Sequence, residues 1–183
     1  MKDPVIWDTK ELLFTRPGEE HLAELAAYRQ AFLDAGDSMD GAGPLRRMED
    51  LCEYLRTVRE YEDPATVPPD RVPATQLLLL RKADGRVVGM LQVRHTFNDY
   101  LEKYAGHIGY SVHPAERRRG YAKTMLGAAL PFCRSLGLEK VLISCIDGNV
   151  GSERTILAHG GVYESTVYEP GEGVYLTRFW ITL

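Results

Sequence analysis

The strongest constraint in this chain is a strand, a basic turn, a helix and a second strand in immediate succession. His107 to His113 alternates, with Ile108, Tyr110 and Val112 on one face and His107, Ser111 and His113 on the other. Pro114 ends that run. From Gly120 to Leu136, the residues Ala122, Met125, Leu126, Ala129, Leu130, Cys133 and Leu136 recur at the helical period, and Gly137 stops them. Lys140 to Ile146 is then almost continuously apolar, as expected of a strand buried on both faces. This order predicts a right-handed crossover that brings two parallel strands together. Pro131 removes a helical N–H, which predicts a kink eased by the small Gly127.

The flanking sequence predicts a mixed α/β fold. Glu11 to Thr15 reads as a first strand, and Glu19 to Ala35 as a helix with acidic residues in its first turn and Gly36 as its stop. Asp37 to Gly43 is a loop, and Leu45 to Tyr61 repeats the helical pattern. Four prolines between Asp63 and Ala74 exclude regular structure there. Gln76 to Arg81 and Arg86 to Thr96 form a hairpin across Asp84-Gly85, and Phe97 to Gly106 is a polar and aromatic connection. Ser152 to His159 is a short helix, followed by strands Val162 to Tyr168 and Val174 to Leu183.

Composition narrows function mainly by exclusion. A net charge of −4 leaves no global basic field for nucleic acid, so any anion site is local. The longest aliphatic run, Leu77 to Leu80, is too short to span a bilayer. The three cysteines include no CxxC pair, and no Cys/His pair has zinc-ligand spacing. These features, with an N-terminus unlike a signal peptide, predict a cytoplasmic protein without a metal.

The local anion site is the turn Arg117-Arg118-Arg119-Gly120-Tyr121-Ala122. A helix N-terminus leaves backbone N–H groups without partners and favours an anion. Gly120 and Ala122 let a bulky anion approach the backbone, and the guanidiniums add charge-assisted bonds. The chain has neither a G-x-G-x-x-G fingerprint nor a P-loop lysine motif.

Val112-x-Pro114-x-x-Arg117-x-x-Gly120-x-Ala122 resembles the pattern V-x-P-x-x-[QR]-x-x-G-x-[GA] of the GNAT N-acyltransferases. Asn149, Ser152 and Gly161-Val162 match further positions of that family, and His107 to Val112 looks like a bacterial branch of its acetyltransferases. The resemblance implies a mixed, mostly antiparallel sheet flanked by helices, with two splayed strands opening an acyl-CoA cleft. It implies one domain over 1–183, with a helical segment over 1–74, an acyl-CoA-binding core over 75–168 and a last strand over 174–183. It further implies that the amides from Arg117 to Ala122 hold the pyrophosphate of acetyl-CoA. The backbone of Tyr110 and Val112 would pair with the pantetheine arm, and Asn149 and Ser152 would lie along the cofactor. The activity implied is transfer of acetyl to a primary amine, on a small molecule or a protein, directly within a ternary complex. A homodimer stays open, and the rival readings are a module that binds acyl-CoA without turning it over and a nucleotide-binding regulator that uses the same anion turn.

The resemblance also implies a tyrosine acid seven residues after the Asn, where this chain has Ile156. Tyr163 is the first substitute considered and Tyr110 the second. For the base, His107, His95, His113 and Glu102 lie near the right strands, and an imidazole suits proton transfer near neutral pH. Cys145 reads as a core residue.

Overall fold

The structure is a computed structural model that describes residues 5–183. Five antiparallel strands form one sheet in chain order: β1 (Trp7–Asp8), β2 (Leu12–Thr15), β3 (Ala74–Arg81), β4 (Arg86–Arg94) and β5 (Ile108–Val112). The other strands, β6 (Lys140–Ile146), β7 (Val162–Glu169) and β8 (Val174–Thr182), form a second sheet in the order β6-β8-β7. Four helices flank them: α1 (Leu22–Ala35), α2 (Leu51–Glu62), α3 (Tyr121–Ser135) and α4 (Val150–Leu157).

The strands of the larger sheet are apolar on both faces because helices cover both. In β3, Leu77 and Leu79 enter a core shared with α3, while Leu78 and Leu80 enter one shared with α1 and α2. This explains the unbroken run Leu77 to Leu80, since each alternate residue serves a different layer. Helix α3 buries Met125, Leu126, Ala129 and Cys133, the face that its periodicity marks. It packs closely where Gly89 interrupts β4, since a Cβ there would lie 2.6 Å from the Met125 methyl carbon. The helix continues through Pro131.

Four expectations are corrected. The stretch Leu45 to Tyr61 is not one helix: a 3₁₀ turn at Leu45–Arg47 is followed by a break, and α2 starts at Leu51. The cause is Asp50, whose carboxylate accepts from the amides of Cys52 and Glu53 and caps a new helix. Helix α4 starts two residues early, because the Asn149 side chain accepts from the Ser152 amide and makes Asn149 the N-cap. The connection Phe97 to Gly106 contains a π-helical turn at Leu101–Ala105. The crossover strands β5 and β6 form no parallel ladder: they belong to different sheets and meet at one isolated bridge, Gly106 to Ile143, of antiparallel type. Beyond that bridge no further pairing joins them, an interruption compatible with the splay that the resemblance implied.

The loop between α1 and α2 clamps onto β3 and β5. Gln76 Nε2 donates to Gly41 O at 2.7 Å. A Cβ on Gly41 would meet Gly109 O at 2.1 Å, and Gly41 has φ +72°. Gly36 has a similar φ of +66° but nothing within 4 Å of a Cβ. Gly41→Ala should therefore cost more than about 2 kcal/mol, combining left-handed strain with a backbone clash. Gly36→Ala should cost about 1 kcal/mol from strain alone. Urea midpoints of the two variants check this, and equal losses would contradict the clamp.

Candidate active site

Strands β5 and β6 share no pairing beyond one bridge, and the gap in pairing between them, termed the wedge, is tied at that bridge by His107. The His107 amide donates to Leu142 O at 2.7 Å, and its Nδ1 accepts from the Leu142 amide at 2.9 Å. The ring lies 4.0 Å from the Phe97 ring, centroid to centroid, and meets Trp180 edge-on at 6.3 Å. Burial first, and the neighbouring Arg94 second, lower its pKa to about 4. Since Nδ1 accepts, the neutral ring carries its proton on Nε2. His107 is thus a neutral joint between the sheets at pH 7, a poor position for a general base.

The basic turn lies at the wide end, directly after β5. A 3₁₀ turn at Pro114–Glu116 is capped by His113, whose Nδ1 accepts from the Ala115 amide. Arg118 then takes φ +65° and Gly120 takes φ +85°, and α3 begins. Arg118 is the one non-glycine residue with positive φ among those described, a strained conformation typical of functional turns. The first bond to Gly120 O comes from the Thr124 amide, so the amides just before it face out of the helix end. Apart from its own chain neighbours, no described residue comes within 4 Å of where a Gly120 side chain would begin. The turn therefore exposes backbone at a helix N-terminus, an arrangement that favours an anion.

Most of the arginine charge there is already committed. Arg117 pairs with Asp37 at 2.8 Å, and its guanidinium carbon stands 5.8 Å from the Phe32 ring centroid. Arg119 reaches Glu116 at 3.4 Å. Arg118 forms no ion pair among the described residues. Glu116 is the hub that sequence reasoning missed. Only 3% exposed, it also accepts from Arg81 at 2.8 and 3.1 Å and from Arg86 at 2.9 Å. Hydrogen bonds from Arg81 lead the effects that hold its pKa down near 2. The only sequence signal was an acid inside a basic run; its distant partners on the β3–β4 hairpin were not readable.

Across the wedge, the Tyr110 hydroxyl meets α4. It lies 2.7 Å from Ser152 Oγ and donates to Ser152 O at 3.3 Å. Burial pushes the phenol up to about 12 and the nearby Cys145 thiol up to about 11. Ile156 is fully buried in the core. Asn149 uses Oδ1 as the cap, while its Nδ2 makes no hydrogen bond among the described residues. Val112 and Tyr121 pack against the core that α3 covers.

The remaining candidates lie apart from this group. Tyr163 stands on β7, beyond β8 from β6, with 58% of its surface exposed and its hydroxyl 3.3 Å from Thr166 Oγ1. His95 bonds Thr75 at 2.8 Å, and Thr75 in turn donates to Glu62, which holds Arg16. Glu102 contributes its carbonyl to Arg178. Cys145 belongs to the core, as read. No group of His, Cys, Asp or Glu among the described residues could hold a metal, and no described helix is long and apolar enough to cross a membrane.

The acetyltransferase (GNAT) family model matches residues 45–160. No curated protein matches in sequence. Among solved structures, RimL, a ribosomal L7/L12 α-N-protein acetyltransferase in complex with coenzyme A, has TM-score 0.72 at 15% identity, covering 98% of both chains. RimJ of Mycobacterium smegmatis, in complex with CoA-disulfide, has TM-score 0.68 at 18% identity, covering 93% of this chain and 81% of its own. YncA of Salmonella typhimurium, with acetyl-CoA, has TM-score 0.66 at 17% identity, covering 94% of both.

Glu116→Gln should unfold at lower urea, by roughly 2–3 kcal/mol at pH 7, because three guanidiniums lose their shared anion. A depressed carboxylate pKa stabilises the fold above the unfolded value near 4.5, and this stability is lost as pH falls toward 2. The gap between wild type and variant should therefore shrink at pH 3. A gap independent of pH would contradict the hub. Separately, the His107 ring should titrate near pH 4 by NMR; a midpoint near 6.5 would contradict its buried acceptor role.

Proposed function

Because this chain belongs to the acetyltransferase (GNAT) family, we propose that it moves an acetyl group from acetyl-CoA to a primary amine, directly within a ternary complex. The observation that carries this reading is the bend from Arg117 to Ala122, open at the wide end of the wedge, with Gly120 left-handed and unobstructed. Backbone amides there would hold the diphosphate, and the nearby guanidiniums reinforce the field without having to supply each bond. The edge of β5 at Tyr110 and Val112 would align the pantetheine arm, with Asn149 and Ser152 across the wedge. When bound, acetyl-CoA supplies the activated acyl group. The protein supplies alignment, a polarising amide and exclusion of water.

Direct transfer fits the thiols. Both buried cysteines have raised pKa values from burial, so neither is primed as a nucleophile. The acceptor is an amine that can lose its proton before attack, on a small molecule or a protein. A cytoplasmic setting suits three free cysteines.

Gly120→Glu tests the cradle. Its side chain starts in open space, so the fold should survive with only left-handed strain, about 1–2 kcal/mol. The carboxylate would occupy the diphosphate position, and affinity for acetyl-CoA by calorimetry should fall at least 100-fold. Unchanged affinity would place the cofactor elsewhere. In wild type, release of CoA thiol should accompany acetylation within a panel containing a small alkylamine, a lysine side-chain peptide and a peptide with a free α-amino group. Tight binding with no acetylated product would favour a module that holds acyl-CoA without turnover.

A further inference from the structure

We infer that the Tyr110 phenol is the acid that protonates the departing thiolate, a role that α4 cannot supply from position 156, where an isoleucine stands. The inference rests on the acetyl-transfer reading above and adds a named acid to it. The geometry begins with Ile156, which is fully buried and carries no proton donor. Side chains on a helix lean toward its N-terminus, so a long residue at 156 would cover the turn around Ser152, about 6 Å along the axis. That turn is where the Tyr110 hydroxyl lies, 2.7 Å from Ser152 Oγ. A phenol from β5 thus arrives, across the wedge, where an acid from α4 would otherwise be delivered.

The surroundings suit a donor. Tyr110 is held at both ends, by its strand pairing with Leu91 and by Ser152, so its ring is fixed. The groups that act on its hydroxyl are Ser152, Cys145 and Thr155, two hydroxyls and a thiol. Burial keeps the phenol protonated throughout the physiological range. Tyr163, the other tyrosine near in sequence, is exposed on β7 and bonded to its own strand.

The step balances as follows. The amine nitrogen bonds to the thioester carbonyl carbon, and the carbonyl electrons move onto oxygen. Their return breaks the C–S bond, and sulfur leaves with the bonding pair. The Tyr110 O–H proton passes to that sulfur, giving the free thiol. The phenolate regains a proton, through Ser152 or water, from the nitrogen that has become an amide.

Tyr110→Phe keeps the ring and removes the proton. Turnover should fall roughly 10²-fold, with the acetyl-CoA dissociation constant changed less than threefold. The loss should grow further with the oxygen-ester analogue of acetyl-CoA, whose alkoxide leaving group needs a proton more than a thiolate does. Ser152→Ala, which leaves the phenol but removes its anchor, should lose less than Tyr110→Phe. Turnover equal to wild type, a loss seen only in affinity, or the same loss factor with both donors would overturn the role of Tyr110. A wild type that acetylates none of the amines would overturn the transferase reading itself, and the acid with it.

Discussion

The pair of hydrogen bonds between His107 and Leu142 is the contact on which the architecture depends. Where two strands separate, each loses a partner, and a buried amide left without one is costly. At the narrow end of the wedge, the backbone of His107 takes the Leu142 carbonyl and its side chain takes the Leu142 amide. The sheet is thereby divided without an orphaned group at the point of division. The arrangement works only with a neutral ring, because a protonated Nδ1 cannot accept. Phe97, Trp180 and Arg94 all oppose that proton, the aromatics by keeping the ring dry and Arg94 by its charge. A histidine that looks like a proton shuttle in sequence is, in the fold, a fixed acceptor.

The wide end follows a different electrostatic logic. Three adjacent arginines suggest a cluster of phosphate ligands, yet Arg117 and Arg119 are anchored to Asp37 and Glu116. Glu116 gathers guanidiniums from the β3–β4 hairpin and from the turn itself, so one carboxylate ties the turn to the sheet. Its negative charge is more than offset by the three cations around it. What remains for an incoming anion is a rigid set of amides within a locally positive field. Such preorganised dipoles need no reorientation on binding. A net charge of −4 therefore does not oppose the anion site proposed at this turn.

Features set by short-range periodicity were readable from the residues, and those set by distant partners were not. The buried faces of α3 and β6, the hairpin at Asp84-Gly85 and the left-handed stop at Gly36 all follow from residue type and spacing. The turn was legible because Pro114 and Gly120 bracket it. Helix starts were misplaced wherever a side chain competed with the apolar pattern, as Asp50 does before α2 and Asn149 before α4. The two-residue β1 was invisible because its pairing with β2 makes it a strand. The candidate site suffered most. Neither the path of Glu116 to Arg81 nor that of Tyr110 to Ser152 has any local signature, since 35 and 42 residues separate the partners.

Strand β5 shows how these long-range ties produce a usable edge. An exposed strand edge offers unpaired backbone groups and invites aberrant pairing unless it is short or blocked. Here it is five residues long, ends at a turn opened by Pro114, and faces a wedge rather than open solvent. Its consecutive residues are tethered to opposite layers: Ser111 receives the Tyr28 hydroxyl from α1 at 2.9 Å, and Tyr110 reaches Ser152 on α4. The strand therefore cannot rotate or slip without breaking a bond on one face or the other. An edge fixed on both faces and left unpaired offers backbone groups in a constant register, which is what the proposed alignment of a pantetheine arm along it would need.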